Sequence, residues 1–136
     1  MVLIFGIWLV QMLVTTLAAY SLSKLKPPGH KTILFGFLAA LMVPGLAMMI
    51  PKYVILKSLP LFGWNLLDSY WAFWLPAGAN AFNILLLKTF FDGIPDDLID
   101  AATIDGASEL RTFGQIVLSL SKPILATLTI FIFLGV

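Results

Sequence analysis

Six of the seven acidic side chains in this 136-residue chain fall between Asp92 and Glu109: Asp92, Asp96, Asp97, Asp100, Asp105 and Glu109. Such a cluster reads in one of two ways, as a surface helix kept soluble by its charge or as a docking element for a partner. Catalysis lacks its usual constellations, since there is no nucleophile–base pair, no metal-ligand cluster and no Gly-rich phosphate loop with its Lys. The chain has no cysteine and a single histidine, His30, so thiolate sites and His-rich metal sites are excluded. No catalytic or metal-ligating residue is assigned. The other side chains of chemical interest are Gln11, Thr15, Thr16, Asn80 and Asn83, polar groups inside apolar runs. They read either as interhelical hydrogen bonds or, for Gln11, Asn80 and Asn83 above all, as the lining of a solute path.

The elements that must position these residues are set by composition. The chain is 60% hydrophobic, with 8 basic and 7 acidic residues and a mean hydropathy of +1.01. A soluble domain is about a quarter charged, and so few charges cannot cover so many apolar side chains. A cytosolic enzyme, a disordered chain and a nucleic-acid binder are all disfavoured. Uncharged or nearly uncharged runs predict spans at about 1–23, 32–51, 69–90 and 118–136. Backbone in lipid must pair internally, so spans of this length are helices. The expected fold is therefore all-α, a polytopic helical transmembrane bundle. The first run lacks the basic start of a signal peptide, and the last, too short for a full span, reads as cut by the chain end.

Three connections separate the spans. The first holds Lys24, Lys26 and Lys31, the second Lys52 and Lys57, the third Lys88, Arg111 and Lys122. Parity puts the first and third on one side, and their excess of bases predicts that this side is cytoplasmic. The third connection carries the acids, at about 92–117, and it has a helix–turn–helix written into it. Pro95 suits a first helical position, with Asp96 and Asp97 at the positive end. Asp105-Gly106 reads as a turn with Gly106 at positive φ. A second helix is predicted from about Ala107 or Ser108, with Leu110, Phe113 and Val117 as its apolar stripe. Trp64, Trp71, Trp74 and Tyr70 read as an interfacial aromatic belt, with sugar stacking as the other reading. Asn65 and Asp68 lie in the outer connection.

Asp100-Ala101-Ala102, followed at fixed spacing by Gly106, Ile116 and Leu118, resembles the cytoplasmic signature of ABC importer permeases, which runs Glu-Ala-Ala, Gly, Ile, Leu-Pro. The flanking Ile94-Pro95-Asp96-Asp97-Leu98 and Ile104-Asp105-Gly106-Ala107-Ser108 resemble the carbohydrate-uptake branch. The resemblance implies a transport permease rather than an enzyme, in the bacterial plasma membrane. It implies a second permease subunit, a pair of ATPase subunits using ATP and Mg, and an extracytoplasmic solute-binding protein as partners, with no cofactor in this chain. It implies ATPase coupling through Asp100, Ala101, Ala102, Asp105, Gly106 and Ala107. Two positions depart from the signature. Asp100 is one methylene shorter than Glu, and Ser119 stands where Pro is usual, predicting a softer end to the second loop helix. The family pattern has about six spans, so the first and last are expected to be missing here. The competing class is an ion-coupled carrier or channel subunit, which would be expected to bury ionisable residues at mid-span.

Overall fold

The structure is a computed structural model that describes residues 1–59, 62–78 and 80–135, and all regular elements among them are helical. Helix α1 (Val2–Tyr20) runs without a break into a π-helical turn, Ser21–Leu25. Together they form a 24-residue apolar rod, the one described helix that can cross a membrane unbroken. It ends where Lys26 turns left-handed (φ 45°) and its N–H closes on the Ser21 carbonyl at 2.9 Å. Pro27 and Pro28 follow and cannot continue a helix.

The second apolar run is not one straight helix. Helix α2 (His30–Met42) stops before Pro44, and Val43 is extended (φ −81°, ψ 121°), as sterics demand of a residue preceding proline. A 3₁₀ turn, Gly45–Met48, leads into α3 (Met49–Lys57), and the two limbs are bent by 101°. The predicted span 32–51 is thus a broken pair. The third run divides as well, into α4 (Trp71–Gly78) and α5 (Ala81–Asp92). The divider is Asn80, whose side-chain oxygen accepts the Asn83 N–H at 3.1 Å and caps α5. Asn80 lies outside the helix that Asn83 belongs to, so the two do not share a face of one helix.

Helix α6 (Asp96–Ile104) follows, then α7 (Glu109–Thr112), a π-helical segment Phe113–Val117, α8 (Leu118–Leu120) and α9 (Lys122–Leu134). The axis turns by 78° between α8 and α9. The turn is at Ser121, whose Oγ donates to the Val117 carbonyl at 2.6 Å, and Pro123 in the first turn of α9 has no N–H to offer backwards. The final helix therefore starts at Lys122 rather than 118, and α8 stops at Leu120, one residue past Ser119. The predicted stripe is also corrected. Val117 is buried and Phe113 packs on Tyr20 with ring centroids 4.9 Å apart, but Leu110 is 78% exposed. The π-helical segment between Leu110 and Val117 adds width to the turn and shifts the register off a 3.6-residue period.

The core is concentrated at one end of the molecule. Ala19 and Tyr20 from α1, Leu87 and Phe91 from α5, Ile94, Val117 and Leu128 from α9 form its buried cluster. At the far end of α1 the Trp74 indole fills the space beside Gly6, and its Nε1 donates to the Leu3 carbonyl at 3.3 Å. Only glycine at position 6 lets the ring approach so closely. Trp74 also stacks on Tyr70 and meets Trp71 edge-on, so it is a packing residue between α1 and α4, whereas Trp64 and Trp71 are exposed. By contrast, α2 and α3 bury no residue.

Candidate functional site

The loop around α6 is built by short-range rules. Pro95 is the residue before the helix (φ −56°, ψ 130°), one place earlier than predicted, and Asp96 and Asp97 occupy the first turn. There their negative charge meets the positive end of the helix dipole. At the other end the Ala107 N–H bonds the Ala102 carbonyl at 2.9 Å and the Gly106 N–H bonds the Thr103 carbonyl at 3.0 Å. This pair of bonds, with Gly106 at φ 78°, is a Schellman stop. Ser108 then caps α7, its Oγ accepting the Arg111 N–H at 3.4 Å.

Three of the six clustered acids tie this loop to the end of α1. The largely buried Lys24 ammonium donates to the Ile94 carbonyl at 2.6 Å and to Asp96 Oδ1 at 2.7 Å. Ser23 Oγ donates to Asp92 Oδ1 at 2.7 Å, and Lys88 Nζ holds Asp92 Oδ2 at 2.6 Å. The Tyr20 hydroxyl donates to Glu109 Oε2 at 3.0 Å. The first and third connections thus meet at one end of the bundle. Lys24, by hydrogen bond and then by charge, holds the Asp96 carboxyl below the usual carboxylate range, and Lys26 adds to the pull. The sequence gives no expectation that Tyr20, Ser23 and Lys24 hold this loop. Their one visible signal is that Lys24, a base at a span's edge, lies on the same side as the acids.

The remaining three acids make no ion pair among the described residues. Asp97, Asp100, Ala101 and Ile104 recur at helical spacing and are all exposed, with Ile104 at 85%. Asp105 and Gly106 extend this surface. Ala102 does not belong to it. It is 7% exposed and shares the inward face with Ile99, because one residue along a helix is a rotation of about 100°. Ala107 is half-buried. Of the six residues expected to act in coupling, Asp100, Ala101, Asp105 and Gly106 face outward, and Ala102 and Ala107 support them from beneath.

Away from the loop lies a cleft of about 770 Å³, which takes in Gln11 and Asn80 but not Asn83. None of the five polar residues in the apolar runs makes an interhelical hydrogen bond among the described residues. Thr16 bonds back to the Met12 carbonyl, Thr15 Oγ1 is buried without a partner, and Asn80 is a cap. Hydrogen bonds that do join helices in these runs come from the indoles: Trp8 Nε1 to Thr129 Oγ1 at 3.1 Å, between α1 and α9, and Trp74 Nε1 to the Leu3 carbonyl.

Residues 6–136 match the family model of the binding-protein-dependent transport system inner membrane component. The chain belongs to this family. The permease protein YtcP of a polygalacturonan/rhamnogalacturonan transport system in Bacillus subtilis is 42% identical over 90% of this chain and 40% of its own length. The maltodextrin permease protein MdxG of the same organism is 36% identical over 99% of this chain and 48% of its own. The sn-glycerol-3-phosphate permease protein UgpE of Yersinia pestis is 35% identical over 98% of this chain and 46% of its own. The chain spans less than half the length of these relatives. As a member of this inner membrane family with an apolar rod of spanning length, it is an integral membrane protein.

Proposed function

We propose that this chain is part of a permease subunit of an ABC importer, a multi-pass protein of the bacterial plasma membrane that passes a sugar or oligosaccharide. The observation that carries the reading is the α6 loop, fastened to the end of α1 on one side and presenting exposed Asp97, Asp100, Ala101 and Ile104 on the other. A surface that is only solvated needs no such fastening. A surface that receives force does, because a docked partner must move the span and not merely the loop. The partner is an ATPase subunit, one of a pair, which hydrolyses Mg-bound ATP. A second permease subunit completes the path, and an extracytoplasmic binding protein delivers the solute. The names of the relatives support a saccharide or related polyol as the solute class.

The test is ATP-dependent uptake into membrane vesicles containing the whole assembly, with co-purification of the ATPase measured in parallel. Ala101→Arg is expected to abolish ATPase co-purification and uptake while the permease remains in the membrane at normal level. Normal uptake in Ala101→Arg and Asp100→Arg together would show that α6 is only a solvated helix.

A further inference from the structure

The cleft that takes in Gln11 and Asn80 also takes in Lys52, the one charged side chain among its described lining. Its walls come from α1, the bend between α2 and α3, α4, the start of α5 and the end of α9, with Phe73, Met48 and Ile132 supplying apolar surface. Lys52 makes no ion pair among the described residues, and no carboxylate shares the lining. Gln11 is only 5% exposed and lines the cleft, and its amide makes no hydrogen bond among the described residues. An amide that lines the cleft without a protein partner is free to bond whatever occupies it. Asn80 spends its oxygen on the Asn83 N–H, which leaves its amide hydrogens to donate.

We propose that this cleft binds a polyhydroxylated solute carrying a carboxylate or phosphate, with Lys52 selecting its charge and Gln11 and Asn80 bonding its hydroxyls. The apolar walls suit the carbon face of a sugar ring, and a lone ammonium with no competing acid suits an anion. The proposal rests on the permease reading and narrows its solute class from sugars in general to acidic ones.

Two measurements test it on the whole gene product, assembled with its partners in membranes and made cysteine-free elsewhere. Ala77→Cys introduces a thiol in the cleft wall. Its rates with an anionic (sulfonatoethyl) and a cationic (trimethylammonioethyl) methanethiosulfonate report the local potential without any knowledge of the solute. The anionic-to-cationic rate ratio is expected to fall on the order of fivefold in Lys52→Gln and to be kept in Lys52→Arg. An unchanged ratio in Lys52→Gln, or a thiol that neither reagent reaches, overturns the proposal. The second measurement is ATP-dependent uptake of digalacturonate, glycerol 3-phosphate and maltotriose. Preference for either anion, reduced on the order of fivefold or more in Lys52→Gln, supports it and tells carboxylate from phosphate. Preference for maltotriose overturns the charge selection while the permease reading stands. Absence of ATP-dependent uptake of all three counts against the permease reading, and the reagent ratio still decides the charge of the cleft.

Discussion

The two sides of α6 carry similar residues and are used in opposite ways. On one side Asp92, Asp96 and Glu109 bracket the helix and are spent on Ser23, Lys24, Lys88 and Tyr20, while Ile99 and Ala102 face the core. On the other, Asp97, Asp100 and Asp105 make no ion pair among the described residues, and Ile104 is largely bare. The difference teaches that acids in one sequence cluster do separate jobs according to whether a donor from the end of α1 or from α5 reaches them. Those on the tied side fix where the loop sits, and those on the open side set what it offers.

The most direct way to break this division is from beneath. Phe91 is fully buried in the cluster that the loop rests on. Phe91→Ala is expected to cost about 3–5 kcal/mol and to loosen the loop as a whole. Thermal unfolding of the purified assembly should show the loss, and protease should cut between Asp92 and Glu109 in the variant but not in the parent. Ile104→Ala, on the open side, should leave both measurements unchanged. Equal effects of the two would mean that the sides are not distinct.

Next in size is the fastening. Lys24→Met keeps much of the side chain's apolar stem but removes the ammonium from the buried Ile94 carbonyl and from Asp96. A buried acceptor left without its donor costs about 1–3 kcal/mol. The expected signature is a split: the ATPase still co-purifies, because the open face is intact, but uptake per ATP hydrolysed falls. Loss of co-purification with unchanged stoichiometry of transport would reverse the assigned roles of the two sides.

How far this division is legible in sequence depends on range. The Asp-rich start of α6, the positive φ of Gly106 and a second helix with Glu109 in its first turn follow from residues within one turn of each other, and the structure has all three. Which way Ala102 points is also a local matter, but the paired alanines of the signature suggested one surface, and helix phase divides them. The fastening was not legible, since Lys24 and Asp96 are 72 positions apart and only the folded bundle joins them. The apolar runs show the same limit. Their length predicts that they reach across a membrane, but it says nothing about straightness. Asn80 caps a new helix inside a run whose hydropathy hardly changes, and Pro44 turns another by 101° with its neighbours.

Smaller again is the effect of Gly106→Ala. No atom lies within 4 Å of where the added methyl carbon would sit, so its cost is conformational alone, about 1–2 kcal/mol for a left-handed alanine. Hydrogen exchange should quicken at the Gly106 and Ala107 amides, which close the stop, and stay unchanged at Ile94 on the tied side. Gly29, also at positive φ with open space around it, is the control. Gly29→Ala carries a similar strain but is expected to leave α6 exchange and uptake as they were.

The smallest effect is the pH dependence of the tie, and its sign follows from the direction of the Asp96 shift. Hydrogen bonding from Lys24, reinforced by its charge, lowers the folded-state value of Asp96 below that of an unfolded aspartate. A carboxyl depressed in this way contributes its full stabilisation above its unfolded value and loses it as pH falls through the folded one. The contribution is therefore constant around neutrality and lost only on the acid side of the usual carboxylate range. Asp96 is exposed and screened, so the loss is modest. The expected result is that protease cutting between Asp92 and Glu109 rises at acid pH in the parent, whereas Asp96→Asn cuts slightly faster at neutral pH and shows a flatter acid rise. A parent whose cutting is pH-independent across that range, or an Asp96→Asn variant that keeps the whole acid rise, would mean that Lys24 holds the loop through the Ile94 carbonyl alone. The tied side would then be fixed by the Ile94 carbonyl together with Asp92 and Glu109, leaving Asp96 a solvated acid like Asp97.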